Sequence, residues 1–155
     1  MTAAMIRKGS PADVPFMRSM LAHAYAWRVS QFEAEIPLTR YVDNWGRAGD
    51  FSLMATETGH RVGAAWLRIF SADAPGYGFV DERTPELTIS IVPSRRRHGV
   101  GRELFEALLH GAREQGHRAV SLSVESESPA VAFYERHGFE PVREHEGGLV
   151  MRRDL

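Results

Sequence analysis

The sequence contains no cysteine, and this absence excludes three classes of protein together. Disulfide scaffolds, thiolate zinc sites and enzymes with a cysteine nucleophile all require that residue. An apolar run of the ~20 residues that cross a bilayer is also missing, which argues against a membrane protein. The N-terminal residues lack the basic-then-apolar order of a secretory signal, so we expect a cytoplasmic protein.

The chain also lacks an excess of one charge, since its formal net charge is only −1. Near-neutrality argues against a dedicated nucleic-acid binder, although it allows a local basic patch. Intrinsic disorder needs few apolar residues and a large net charge, whereas 43% of these residues are hydrophobic. We therefore expect residues 1–155 to form a single globular domain.

Strand and helix patterns alternate along the chain and predict a mixed α/β domain. Ser10 followed by Pro11 is typical of a helix start, and a broken helical region is expected over 28–50. Residues 71–85 contain two prolines and two glycines, which indicates a long loop. Alternating or apolar runs predict strands at 5–7, 51–57, 61–70, 87–91, 120–124 and around 142 and 149–151. Further helices are expected from Gly99 to Gly116, with apolar positions at 100, 104, 108 and 112, and from Ser128 to Gly138. The first of these should connect two parallel strands.

The most informative segment is SRRRHGVGR at residues 94–102, which follows a strand and opens a helix. Gly99 and Gly101 allow a ligand to approach the backbone, and the amides of a helix N-terminus favour an anion. The segment lacks the Gly-Lys-Ser/Thr of a Walker loop and the third glycine of a dinucleotide fingerprint. By itself it predicts either a phosphate cradle or a glycine-bearing helix start with solvated arginines.

A second motif, YERHGF at residues 134–139, lies one helix and one strand further along. Arg96-x-x-Gly99-x-Gly101 matches the pyrophosphate loop of the GNAT (GCN5-related N-acetyltransferase) superfamily, and YERHGF matches its Tyr-Glu-x-x-Gly-Phe signature. The chain therefore resembles this family in its last 70 residues or so. The resemblance implies a GNAT-type acyl-CoA N-acyltransferase fold, in which helices flank a central mixed sheet.

The resemblance also implies acetyl-CoA as co-substrate, without a metal, between two splayed strands that end at Val92 and Val124. The pyrophosphate would lie on the amides of residues 98–102, and the pantetheine arm along Ile91 and Val92. Many relatives have asparagine before the last helix, where this chain has Ser128, so this residue could bind the arm or only cap the helix. The implied cofactor residues are Ile91, Val92, Arg96, Arg97, His98, Gly99, Val100, Gly101, Arg102 and Ser128.

The implied reaction is attack of a primary amine on the thioester, which benefits from an acid and a base. Tyr134 stands where relatives place the acid, and the alternative is a tyrosine packed beside Phe133. Glu86 stands where several relatives place the base, and the alternative is a solvated glutamate at a strand edge. Other candidates for the base are Asp81, Glu82, a chain of waters and His137, the last of which is expected to cap a helix end instead.

The acceptor cannot be predicted from the sequence, although the resemblance implies where it binds. The regions concerned contain several aromatic residues, which could line a pocket or belong to the core: Tyr25, Trp27, Phe32, Tyr41, Trp45, Tyr77 and Phe79. Their acidic residues, which could attract a cationic amine, are Glu33, Asp73, Asp81 and Glu82.

Two other functions remain open beside the enzyme. One is a non-catalytic module that binds acyl-CoA through the same loop. The other is nucleic-acid binding through residues 95–97, which the near-zero net charge disfavours. The apolar segment at 149–151 is expected to be a strand near a sheet edge, where it could form a homodimer.

Overall fold

The computed structural model describes residues 4–27, 36–96 and 98–155. Its strands are β1 (Met5–Lys8), β2 (Phe51–Glu57), β3 (His60–Arg68), β4 (Glu86–Ile91), β5 (Ala119–Glu125), β6 (Glu140–His145) and β7 (Gly148–Asp154). Its α-helices are α1 (Val14–Ala24), α2 (Val100–Glu114) and α3 (Ala130–Arg136). Apart from the broken helical region at 28–50, the predicted helices and strands are confirmed within one to three residues at their ends.

The seven strands form one mixed sheet in the order β1-β2-β3-β4-β5-β7-β6. β4 and β5 are parallel, and every other pair of neighbours is antiparallel. α2 connects the two parallel strands, so the predicted crossover is confirmed. The parallel pair lies in the middle of the sheet, where both strands are covered by helices.

Each face of the sheet has its own apolar core. On one face, α2 presents Val100, Leu104, Leu108 and Ala112, all buried and all at the spacing that predicted the helix. On the other face, residues of α1 pack against buried side chains of β2 and β3, together with residues of the 36–45 segment and of the long loop. Burial on both faces means that the alternating polar residues of β4 and β5 do not face water.

The helical region that includes α1 begins after Ser10, as predicted, but its first turn is a 3-10 helix instead of an α-helix. Ser10 precedes a turn of 3-10 helix at Pro11–Asp13, and α1 begins only at Val14. Of the predicted broken helical region, residues 28–35 lie outside the described part. Leu38–Tyr41 forms another turn of 3-10 helix.

The C-terminal strands differ from the expectation in one respect. β7 pairs with β5 on one side and β6 on the other, and Leu149, Val150 and Met151 are buried. The segment lies next to the edge of the sheet, as predicted, but it is not itself a free edge, because both of its sides are paired. The edge strand is β6, whose six residues are all exposed. A homodimer stays a prediction.

Candidate active site

A groove opens in the middle of the sheet because its two parallel strands separate. Among the described residues, only Glu86 and Ser121 pair between β4 and β5. Beyond that pair lies a cavity of about 440 Å³. It is enclosed by the two strands, by the end of α1, by the start of α2 and by α3. Unpaired edges of two strands offer hydrogen-bonding groups to an extended ligand that lies between them.

One end of the groove is formed by the first turn of α2. Gly99 precedes the helix with a φ of +83°, a left-handed conformation that side chains disfavour, and Gly101 lines the groove. The amides of a helix's first turn have no partner within the helix and lie at the positive end of its dipole. Such an end fits a phosphate group.

The side chains around this turn have different surroundings. Arg96 and Arg102 line the groove, His98 is exposed, and Val100 is buried so that only its backbone faces a ligand. Arg97 lies outside the described residues. Arg95 forms an ion pair with Glu57 at 2.7 Å, which directs it away from the groove.

The end of β4 offers fewer backbone groups than expected. The amide of Val92 donates to the carbonyl of Val62 at 2.9 Å, and the Val92 carbonyl accepts from Arg95 at 2.9 Å. Since hydrogen-bonding directions alternate along an antiparallel strand, Ile91 turns its backbone to the opposite side, towards the groove. Its carbonyl accepts from Nε of Arg96 at 3.1 Å. Of the two predicted residues, Ile91 is therefore the one that a ligand can reach.

Ser128 and Tyr134 line the groove on the side of α3. The hydroxyl of Ser128 accepts from the amide of Ala130 at 3.1 Å, so the serine caps the helix. Tyr134 is half-buried, and its ring packs against Phe105 and Phe139 with centroids 5.6 and 5.8 Å apart. Burial raises the pKa of Tyr134 to about 12, so the phenol keeps its proton at neutral pH. Tyr134 therefore packs in the core and faces the groove at once.

Glu86 lies beneath the groove in a buried polar cluster. Only 1% of its surface is exposed, so the alternative of a solvated glutamate at a strand edge is wrong. Its Oε2 accepts hydrogen bonds from the hydroxyls of Tyr41 and Tyr25, the latter at 3.5 Å. Its Oε1 accepts from the amide of Gly78 at 3.0 Å. Burial raises the pKa of Glu86 to about 7, although these hydrogen bonds oppose the increase.

The long loop at 71–85 covers this carboxylate. A Cβ on Gly78 would lie 2.6 Å from the backbone carbon of Leu122, so the loop passes directly over β5. The amide of Tyr77 donates to the Tyr41 hydroxyl at 2.8 Å, and Arg143 of β6 holds the carbonyl of Phe79 at 2.8 Å. The long loop that the sequence predicted therefore covers Glu86 and helps to bury it.

Other candidates for the base lie away from the groove. Asp81 accepts from the Arg83 amide and the Thr84 hydroxyl, and Glu82 accepts from the Ala72 amide, so both stabilise turns. Nδ1 of His137 lies 2.9 Å from the carbonyl of Phe133, at the end of α3 as expected. His137 is half-buried rather than solvated.

Most of the described candidates for the acceptor site do not line the groove. Tyr41 and Tyr77 are buried, Phe79 is half-buried, and Trp45 lies over the guanidinium of Arg68. Tyr25 and Trp27 line the groove, whereas Asp73 is exposed on the loop. Phe32 and Glu33 lie outside the described residues.

Sequence reasoning missed two buried hydroxyls in the groove wall. Oγ1 of Thr88 and Oγ of Ser123 are buried and have no hydrogen-bond partner among the described residues. In the sequence, both residues alternate with apolar neighbours in their strands, and this alternation is the pattern that could have pointed to them. Buried polar atoms without partners are costly, so these hydroxyls fit a polar ligand. Within the described ranges, no three histidine, aspartate or glutamate side chains are grouped as metal ligands would be. None of the described helices is long and apolar enough to cross a membrane.

Comparison with known proteins identifies the family. The model of the acetyltransferase (GNAT) family matches residues 17–139. The chain is 33% identical, over 135 residues, to a mycothiol acetyltransferase from Rhodococcus opacus (strain B4). The match covers 83% of this chain and 42% of that protein, so the chain spans less than half the length of this relative.

Solved structures have the same architecture. A ribosomal-protein-alanine N-acetyltransferase from Brucella melitensis is 25% identical with a TM-score of 0.73, covering 97% of this chain and 99% of that one. The structure of yncA from Salmonella typhimurium, with its cofactor acetyl-CoA, is 21% identical with a TM-score of 0.73 and covers 99% and 94%. The groove between the parallel strands, the two motifs and these similarities agree: the chain belongs to the GNAT family of acetyltransferases and has its acyl-CoA N-acyltransferase fold.

Proposed function

We propose that this protein transfers the acetyl group of acetyl-CoA to a primary amine by direct attack in a ternary complex. The observation that carries the proposal is the groove between β4 and β5. Helix amides suited to phosphate lie at one end, Tyr134 lies along the wall, and Glu86 is buried beneath the groove. Acetyl-CoA supplies a thioester, which activates the acetyl group towards an amine.

The phosphate end would use backbone groups of Gly99, Val100 and Gly101, with the adjoining amides of His98 and Arg102. Arg96 lines the groove close to this turn, and Arg97 is its neighbour in the sequence. The pantetheine arm has amides, which would bond to the backbone of Ile91, on the side of the strand that faces the groove. Ser128 already caps α3, so a contact to the arm would use the second lone pair of its oxygen.

The amine end requires a base, because most amines are protonated at neutral pH. An ammonium with an ordinary pKa near 10.4 releases its proton in only about one molecule in 2500 at pH 7. Converting the ammonium to the neutral amine at this pH therefore costs roughly 4–5 kcal/mol. A carboxylate is best suited as base when its pKa lies near the working pH. Glu86, whose pKa is raised to about 7, meets this condition.

The leaving thiolate requires an acid, and Tyr134 is the proposed donor. Its hydroxyl has no hydrogen-bond partner among the described residues, and its ring is held by Phe105 and Phe139. A rigid phenol with an unused proton can donate without first breaking another bond. Burial also keeps it protonated across the physiological range.

The test is a transfer assay that follows release of the CoA thiol over a panel of amines. The names of the relatives suggest two classes for this panel, an alanyl peptide and a small molecule related to mycothiol. Glu86→Gln should lower kcat by 10²–10⁴, the range of base catalysis. Glu114→Gln removes an exposed carboxylate at the far end of α2 and is the matched control, with unchanged kcat.

The alternative is a non-catalytic module that binds acetyl-CoA. Both functions predict binding in calorimetry, so binding does not separate them. Thiol release that depends on the amine and disappears in Glu86→Gln supports the enzyme. Tight binding without thiol release for any amine in the panel would support the module and refute the transferase.

A further inference from the structure

The proposed base does not reach the groove by itself. Glu86 is buried under the loop, and the groove is lined by its neighbours in β4, Leu87 and Thr88, rather than by the glutamate. Its two carboxylate oxygens bond to groups from three other segments, namely Tyr25, Tyr41 and the amide of Gly78. A proton from an amine in the groove can therefore reach Glu86 only through a group that lies between them.

Tyr25 is the group in the right position. Of the three described groups that bond to Glu86, it alone also lines the groove. The backbone amide of Tyr25 donates to the Leu21 carbonyl at 3.0 Å, so the residue is fixed to the last turn of α1. Its ring packs between Tyr41 and Tyr77, with centroids 5.0 and 6.0 Å away. Only 3% of the surface of Tyr25 is exposed, and the residue lies between the groove that it lines and Glu86, to which its hydroxyl donates.

We propose that Tyr25 relays the acceptor's proton to Glu86. The proposal rests on the proposed transferase function and deepens it, because it names the group that the amine contacts. The acceptor binds as an ammonium: one of its N–H protons passes to Oη of Tyr25, while the hydroxyl proton of Tyr25 passes to Oε2 of Glu86, which leaves a neutral amine. The amine nitrogen keeps the electron pair of the broken N–H bond for attack, Tyr25 is neutral before and after, and Glu86 becomes a neutral acid.

The surroundings favour a concerted transfer over a free tyrosinate. Burial and the charge of Glu86 raise the pKa of Tyr25 far above its usual value, so a phenolate would not accumulate. The other titratable groups near the pair are Tyr41, Tyr134 of α3 and Arg143 of β6, whose charge lowers the pKa of Glu86. The distance of 3.5 Å between Tyr25 and Glu86 is longer than an ordinary hydrogen bond between oxygens. Catalytic hydrogen bonds commonly shorten when the substrate binds.

Tyr41 provides a matched comparison, since it bonds to the same oxygen but does not line the groove. It acts as a positioning residue, and its hydrogen bond lowers the pKa of Glu86. Tyr41→Phe should therefore keep the rise of kcat with pH and move its midpoint to higher pH. Tyr25→Phe should instead abolish the rise that is centred near pH 7, because the path to the base is broken.

The experiment measures kcat against pH for wild type, Tyr25→Phe, Tyr41→Phe, Glu86→Gln and the double variant of positions 25 and 86. The acceptors are an alanyl peptide, spermidine, glucosamine and 2,2,2-trifluoroethylamine, which is already uncharged at neutral pH. Tyr25→Phe should lower kcat about 10²-fold or more with basic amines, less with trifluoroethylamine, and leave the KM for acetyl-CoA within about threefold. Because the two residues act in series, the kcat of the double variant should lie within about threefold of the kcat of Glu86→Gln.

The outcomes separate the relay from the transferase function. Wild-type turnover together with full kcat and an unchanged pH profile in Tyr25→Phe would overturn the relay and leave the transferase function standing. Equal losses for basic and uncharged amines, with additive effects in the double variant, would also overturn it and assign Tyr25 a structural role. Wild type that transfers to no amine would refute both. Thermal unfolding of each variant checks the fold, and the comparison with trifluoroethylamine is made within one variant and so does not depend on stability.

Discussion

Replacing Glu86 with glutamine should change how the stability of the protein depends on pH. Glu86 has a pKa of about 7 in the folded chain, compared with 4.5 for an ordinary glutamate. Between these values the folded protein holds a proton that the unfolded chain releases. Unfolding therefore releases a proton, and the free energy of unfolding falls as pH rises across this window.

The size of the effect follows from the difference between the two pKa values. Each unit corresponds to about 1.4 kcal/mol, so the contribution of Glu86 falls by about 3 kcal/mol between pH 4.5 and pH 7. A glutamine cannot ionise, has nearly the same shape and can still accept the hydrogen bond of Tyr41. The variant should therefore lack this fall and should gain stability relative to wild type as pH increases. The same substitution removes the proposed base, so stability at pH 8 should rise while turnover is lost.

Guanidinium unfolding of both proteins at intervals from pH 4.5 to pH 8 measures the effect. The quantity of interest is the difference between the two free energies of unfolding, because the titration of all other groups cancels in it. This difference should change by about 3 kcal/mol in favour of the variant across the window. Parallel curves, with a difference that is constant within about 0.5 kcal/mol, would show that Glu86 has an ordinary pKa and would refute the reasoning.

Three further predictions concern other parts of the structure. Tyr134→Phe keeps the ring contacts and deletes the hydroxyl, so kcat should fall 10²–10⁴-fold while calorimetry gives the same affinity for acetyl-CoA; full turnover would make the tyrosine purely structural. Gly101→Glu should weaken acetyl-CoA binding by at least tenfold through repulsion of the phosphates. The control Gly101→Ala, whose Cβ would meet Ile91 at an ordinary 3.5 Å, should stay folded, and equal affinities of the two variants would remove the phosphate site from this turn. Asp50→Asn leaves the fully buried Arg68 guanidinium without its paired carboxylate, which should cost about 3–5 kcal/mol in urea unfolding; a loss below about 1 kcal/mol would show that water reaches the arginine.

The sequence predicted the glycine-bearing turn at the start of α2 well, because that turn is local. Gly99 and Gly101 belong to one continuous strand-to-helix segment, and their spacing carries the geometry of the turn. The apolar spacing of α2 likewise predicted which of its faces is buried. Features of this kind depend on neighbours in the sequence, and these neighbours can be read directly.

The buried polar cluster around Glu86 could not be predicted, because it is assembled from distant segments. Glu86 is buried only because the 76–78 segment of the loop and Tyr41 pack over it, and neither contact leaves a local signal. Tyr25 was recognised as an aromatic near the acceptor, but its hydrogen bond to Glu86 spans 61 positions. The alternation in β4 and β5 indicated unequal faces, yet it could not show that α1 covers the polar one.

The exposed strand β6 explains why the sheet stops at seven strands. An uncovered edge presents unpaired amides and carbonyls that could recruit another strand and lead to aggregation. Here Pro141 removes one donor, and the pairing with β7 is irregular between Pro141 and Arg143. Charged side chains from Glu140 to Glu144 add a further barrier to a docking strand. The β6 edge of the sheet is thus protected by its own sequence against pairing with a further strand.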